Sequence, residues 1–408
     1  MLISNDIELV KQLTLYKKQM QQELSAILHF WQRYTPDTAF GGFYGRLDNL
    51  NNVSKNAPKG SVLNSRILWA FSAAFNLQGN KDYLDVANRA FQYIINYFID
   101  KTNGGIYWTV DYKGEPLDTK KQMYALSFGI YGLSEFYVAS KNQQAKETAI
   151  ALYHLIVEHS YDKINGGYLE ALSADWKEIG DLRLSKKDAN EKKSMNTHLH
   201  ILECFAALYR IWPDEVLKNK IEELIQIFLD HIIDKKSNHQ VLFFDEQWNP
   251  KSNIISYGHD IEAAWLIQEA AEIIQNKNLI EKIKIRSVQL ANAAAEGLDT
   301  DGGLWYEYEV EEKNLIKEKH SWPQAESMIG FFNAWQLTGN EDLLEKSFAS
   351  WKFIQQHILD KKNGEWFWGV KENYSLMNED KVGPWKCPYH NSRACIELIK
   401  RIDNTLKS

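Results

Sequence analysis

Residues 100–108 read DKTNGGIYW, and variants of this phrase recur along the chain. It returns as DTAFGGFYG at 37–45, DKINGGYLE at 162–170 and DTDGGLWYE at 299–307. A weaker copy, DKKNGEWFWG, stands at 360–369 and a degenerate one, DKKSNHQVLFF, at 234–244. Between successive opening aspartates the steps are 63, 62, 72, 65 and 61 residues. A constant period of this size marks a repeat architecture, in which each unit buries its apolar face only against its neighbours. The six near-equal units fill the chain with no Pro- or Ser-rich linker, so residues 1–408 read as a single domain.

Between phrases the pattern is helical. VLNSRILWAFSAAFNLQG is followed by YLDVANRAFQYIINYFI, and MYALSFGIYGLSEFYVAS by AKETAIALYHLIVEHSY. Apolar residues recur three and four apart, the signature of a 3.6-residue period. Short turns such as QGNKDY and TGNEDL join the two helices of a unit. The Gly-Gly phrase then stops the second helix, since glycine adopts the left-handed cap without steric cost. Its alternating aromatic continuation predicts a short extended segment or hairpin. The expected fold is all-α: six helix pairs closed into an (α/α)6 barrel, with short β-hairpins and loops at one mouth. The first, more apolar and aromatic helix of each pair belongs inside. An open solenoid of stacked pairs is the alternative. The 72-residue step carries about ten extra residues within ALSADWKEIGDLRLSKKDANEKKS at 171–194, a polar stretch of the kind that forms lids or plain surface insertions.

Bulk composition narrows the function classes. A net charge of -7 disfavours nucleic acid and anionic membrane as partners, because both reward concentrated Lys and Arg. No apolar run approaches the ~18 residues of a membrane span. The three cysteines fall outside CxxC spacing, the start lacks a signal-peptide pattern, and a cytoplasmic monomer is expected. The 14 Trp and 20 Tyr fit either core packing or the apolar faces of sugars.

Polar residues at the starts of the inner helices need a separate explanation. Arg66, Tyr124, Asn196, His259, Trp322 and Trp385 are separated by 58, 72, 63, 63 and 63 residues, close to the repeat period. Residues in phase with a closed repeat converge on one mouth of the barrel. His200 joins Asn196 at i+4, Glu262 joins His259 at i+3, and Glu326 and His390 belong to the last two sets. His198, two residues from His200, is left as structural. Histidine accepts and returns protons near neutral pH, which suits removal of a carbon-bound proton beside a carbonyl. The resulting enediolate needs cationic or hydrogen-bonding groups around its oxygens, and Arg66 and His200 are candidates. Two other readings stay open on the residues alone. A metal could be held by three histidines and a glutamate, although no HExxH spacing is present. A glycoside hydrolase would need an acidic pair flanking the scissile bond, with Glu262 and Glu326 as the carboxylates in phase.

At these positions the chain resembles the cellobiose 2-epimerases of the N-acylglucosamine 2-epimerase superfamily. The resemblance runs from about Gly41 to Arg401 and rests on an ordered set of motifs. These are KGSVLNSRILWAFS, KQMYALSFGIYGLSEFY, KKSMNTHLHILE, YGHDIEAAWLI, WPQAE and GPWKCPYHNSRACIE. It implies C2 epimerisation of the reducing-end glucose of β-1,4-linked disaccharides: cellobiose, lactose (to epilactose) or mannobiose-type substrates. No cofactor or metal is implied. It further implies that His259 and His390 are the acid/base pair, and that His200 assists ring opening beside Arg66. Tyr124, Asn196, Glu262 and Glu326 would hold hydroxyls and orient the histidines. Trp322 and Trp385 would stack on the sugars, and Ser185 and Asp188 would reach the non-reducing unit. Within the same superfamily a monosaccharide aldose–ketose isomerase or an N-acyl-sugar epimerase is the nearest alternative.

Overall fold

A helix buried on all sides and a helix buried along one stripe belong in different layers, and the two kinds alternate along this chain. Ser61 through Ala74 are buried without a break in one helix, whereas the next buries only Tyr83, Ala87, Ala90, Phe91 and Tyr93. The computed structural model describes residues 7–407. Its helices are α1 (Ile7–Tyr34), α2 (Ser61–Gln78), α3 (Lys81–Tyr93), α4 (Met123–Ser140), α5 (Gln143–His159) and α6 (Met195–Ile211). They continue as α7 (Glu215–Ile227), α8 (Tyr257–Ile273), α9 (Lys277–Ala294), α10 (Ser321–Thr338), α11 (Glu341–Phe353) and α12 (His390–Lys407). The inner helices α2, α4, α6, α8, α10 and α12 each pack on the next, and α12 packs back on α2. The ring is closed, and the fold is the (α/α)6 barrel. Its buried side chains form one continuous cluster from Leu13 to Ile402.

One pairing departs from the order read in the sequence, where each inner helix precedes its own outer helix. The outer partner of α12 is α1, at the opposite end of the chain. Tyr16 Oη lies 3.2 Å from Ser347 Oγ, and the Trp351 indole donates to Gln19 Oε1 at 2.9 Å. Trp366 Nε1 donates to Glu23 Oε1 at 2.7 Å, and Trp31 Nε1 to Glu365 Oε2 at 2.6 Å. The first two bonds join α1 to α11, and the last two clamp the last Gly phrase to α1.

The recurring phrase also has a function within the fold. Its glycines take positive φ, +75° at Gly104 and +77° at Gly105, which reverses the chain after α3. The opening aspartate then ties the turn down: Asp100 Oδ1 accepts the N–H groups of Thr102 and Asn103 at 2.9 and 3.0 Å. The other oxygen of Asp100 meets Lys121 at 2.7 Å, and the two side chains are all but inaccessible. The same pairing recurs as Lys59–Asp37, Lys193–Asp162, Lys319–Asp299 and Lys381–Asp360. Asp234 of the degenerate phrase has no such lysine among the described residues, because Ile255 stands two positions before α8.

Residues just ahead of the inner helices pair with the segment after the next Gly phrase. Lys59–Gly60 pairs with Thr109–Val110, Lys121–Gln122 with Ala171–Leu172 and Lys193–Ser194 with Phe243–Phe244. Ile254–Ser256 joins Glu307–Glu309, and Lys319–His320 joins Gly369–Val370. A bridge between Leu47 and Val382 completes the circuit. The mouth carrying the inner-helix N-termini is therefore stitched all round. No described helix is long and apolar enough to cross a membrane.

Candidate active site

The stitched mouth opens into a cavity of about 510 Å³. All the residues singled out in the sequence line it, with the exception of Glu326. The phase series itself is corrected by the helix boundaries. Arg66 is the sixth residue of α2, whereas Tyr124, Asn196 and Trp322 are second residues of their helices and His259 is a third. The equivalent sixth positions are Arg66, Phe128, His200, Glu262 and Glu326. Period alone could not separate these registers, because positions one turn apart share a helix face and loop lengths vary between units.

Each histidine is held by its Nδ1 atom. His390 Nδ1 lies 2.7 Å from Glu326 Oε1, His200 Nδ1 lies 2.9 Å from Glu203 Oε2, and His259 Nδ1 lies 2.8 Å from Ser256 Oγ. A ring anchored at Nδ1 leaves Nε2 for the cavity. Trp322 packs on two of them, with ring centroids 4.8 Å from His259 and 5.6 Å from His390. Burial pulls His259 down to about 3, reinforced by His200, and holds His390 well below the usual imidazole value together with Arg66 and Arg393. Both shifts favour the neutral, proton-accepting form of the ring. Glu262 does not brace His259, as their i, i+3 spacing allowed; its partner is Arg393. His198 is structural: Nε2 accepts the Tyr168 N–H at 2.9 Å, and burial lowers its pKa to about 4.

Arg66 supplies a positive charge with no carboxylate against it. Nη2 donates to Tyr124 Oη at 2.8 Å, and the guanidinium lies 4.1 Å from the Phe128 ring centre and 4.6 Å from that of Tyr389. Such a cation, preorganised in an apolar wall, is suited to an oxyanion.

Beneath the cavity sits a group the sequence reading did not single out. Arg393 donates from Nη1 to Glu203 Oε1 at 2.5 Å and to the Tyr389 hydroxyl. Its Nη2 donates to both Glu262 Oε1 and Glu326 Oε1 at 2.6 Å. Glu326 accordingly lies behind His390 and off the cavity wall, which corrects its expected place among the sugar contacts. It also accepts the Trp265 indole N–H at 3.0 Å. Burial raises Glu203, but Arg393 and His200 outweigh it and bring the carboxyl down to about 2. Burial and the neighbouring Glu326 instead push Glu262 up to about 7. With three donors on Glu326 and one on Glu262, the proton goes to Glu262 first.

Glu262, Glu326 and His390 are close enough to hold a metal ion, with ligand atoms within 4.8 Å of one another. The donor set fits an internal cation better, because the Arg393 guanidinium already bonds both carboxylates. The long insertion reaches over the mouth, and Ser185 and Asp188 line the cavity beside Tyr306 and His320 of the facing rim. Asp188 Oδ2 accepts the Ser185 N–H at 2.7 Å, so one of its oxygens shapes the turn. Gln122 anchors the insertion through the Leu182 and Arg183 carbonyls. Trp385 meets Tyr124 and Trp108 at 5.8 and 5.7 Å between ring centres.

A profile of the N-acylglucosamine 2-epimerase (GlcNAc 2-epimerase) family matches residues 42–394. The chain belongs to the N-acylglucosamine 2-epimerase family. It is a carbohydrate epimerase. A relative from Bacteroides fragilis, named cellobiose 2-epimerase, is 47% identical over 385 residues, covering 94% of this chain and 98% of its own. Another of that name, from Dictyoglomus turgidum, is 39% identical and covers 92% and 96%. The solved cellobiose 2-epimerase from Bacillus thermoamylovorans B4167 superposes with a TM-score of 0.92 at 37% identity, covering 95% of this chain and 100% of that one.

Proposed function

We propose that the protein reversibly epimerises C2 of the reducing-end glucose of β-1,4-linked disaccharides, turning cellobiose into glucosyl-mannose and lactose into epilactose. The observation that carries this reading is the pair of part-buried histidines, His259 and His390, packed about one tryptophan in a single cavity. The C2 proton becomes acidic only when the pyranose opens to the aldehyde. One imidazole then takes it, and the enediolate oxygen rests near Arg66 and His200. His200 Nε2 takes up the anomeric hydroxyl proton as the ring opens and then faces that oxygen as an N–H donor. The other imidazole, carrying a proton on Nε2, delivers it to the opposite face and inverts C2. It regains a proton through solvent as the first imidazole releases the one it took, and ring closure frees the epimer. The histidine that acts as base towards one epimer is the acid towards the other. Tyr124, Asn196 and Glu262, which line the cavity, would hold hydroxyls, Trp322 and Trp385 would stack on the rings, and Ser185 and Asp188 would meet the non-reducing sugar.

Relatives named for cellobiose support the disaccharide. Inverting hydrolysis needs carboxyl groups roughly 6.5–9.5 Å apart with water between them. Here both in-phase carboxylates bond the same nitrogen of Arg393. NMR of cellobiose and lactose with the protein in deuterated water tests the reading. Deuterium at C2 of a mannose-type product is expected. Free glucose, or no reaction with either disaccharide, would overturn it.

A further inference from the structure

Of the three histidines at the inner-helix starts, His200 and His390 are held from behind by carboxylates, and both carboxylates end on the same guanidinium. Glu203 spans His200 and Arg393 Nη1, while Glu326 spans His390 and Arg393 Nη2. The two nitrogens belong to one rigid plane, so the directions in which they present hydrogens are fixed relative to each other. Arg393 does not reach the cavity and is only 1% exposed. The remaining groups around it are the Tyr389 hydroxyl, Glu262 and the Trp265 ring.

A carboxylate accepting from Nδ1 selects the Nδ1–H tautomer and leaves Nε2 unprotonated. We propose that Arg393 is a positioning residue shared by His200 and His390: by bonding Glu203 and Glu326 at once, it keeps both rings Nδ1-protonated with Nε2 turned to the sugar. His259 stands outside this arrangement, because its Nδ1 meets Ser256 Oγ and no carboxylate. It serves as an internal control. The kinetic consequence rests on the epimerase mechanism proposed above, whereas the tautomers are read without substrate.

The test is 15N NMR of the full-length, sugar-free protein labelled at histidine, with signals assigned by single histidine substitutions. In the unaltered protein at pH 7, His200 and His390 are expected as Nδ1–H tautomers. In Arg393→Gln both signatures should give way to mixed tautomers while that of His259 stays. In Arg393→Lys a point charge reaches one carboxylate at a time, so one of the two histidines should keep its signature. Disaccharide kcat should fall about 10- to 100-fold, the usual effect of removing a group that orients an active ligand, with KM little changed. Unchanged His200 and His390 signals in a folded Arg393→Gln or Arg393→Lys protein would overturn the proposal. Should neither variant fold by circular dichroism, Glu203→Gln decides. It weakens the link to His200 and one anchor of Arg393 together, so a change at His390 as well as at His200 supports the proposal, and a change confined to His200, or none at either, overturns it. Tautomers that respond in a protein inert towards disaccharides would leave the Arg393 proposal standing and remove the reaction assigned above.

Discussion

At His390 the cavity wall, the Glu326 carboxylate and the Trp322 ring meet on one imidazole. Exchanging His390 for alanine should lower kcat by about 10²- to 10⁴-fold, the typical contribution of a general acid or base. Disaccharide binding should survive, since Trp322 and Trp385 remain; epimer formation and ligand-induced tryptophan fluorescence measure the two effects. The pH profile provides a second check. The acid limb of kcat/KM reports protonation of the free enzyme's base. Burial lowers both His259 and His390, so protonation sets in below the ordinary imidazole value of about 6.5. Activity should therefore stay level as pH falls from 7 through 6.5, where an exposed histidine base would already be half lost. The histidines could be read from the sequence because polar side chains at a fixed phase of apolar helices stand out. Arg393 and Glu203 could not. Each follows a histidine by three residues, a spacing that reads as a helix-surface brace, and only the closed ring turns both towards the axis.

The five Lys–Asp pairs act at the scale of single elements, each tying a Gly phrase to a covered lysine in the segment ahead of an inner helix. Lys121→Met strands the Asp100 carboxylate in a site where both side chains are almost fully covered. A loss of about 3–5 kcal/mol is expected, the usual result of removing one partner of a buried ion pair, and urea unfolding would measure it. Gly258 has a different role. A Cβ there would stand 2.7 Å from Trp322 Cη2 and 2.9 Å from Pro323 Cγ. Gly258→Ala should displace the tryptophan and raise KM about tenfold, equivalent to about 1.4 kcal/mol of binding, with the fold intact. Steady-state kinetics alongside circular dichroism would separate the two. Helix pairs and the lid-bearing unit were legible because periodicity and repeat length act locally; the phrase glycines, expected as helix caps, instead form the turn beyond a helix that has already ended at Ile99. The helix register was not, because a difference of one turn leaves the apolar pattern unchanged while moving Glu326 from the cavity wall to the rear of His390.

For the molecule as a whole, the sequence shows a six-fold period but conceals how the ring shuts. The period is anchored on phrases that begin at Asp37, so the helix before them belongs to no unit that repetition can reveal. That helix, α1, is the one that covers α12 and grips the last phrase through Trp31 and Glu23. The arrangement has a consequence for the newborn chain. On the ribosome α1 emerges early, but the helix it covers follows roughly 20–70 s later at about 5–20 residues per second. Throughout that interval Leu13, Met20, Leu24 and Ile27 lack the surface that finally buries them. Closure of the barrel thus waits for α12, and a chain cut short before His390 has an open seam beside α1 and lacks one of the three histidines.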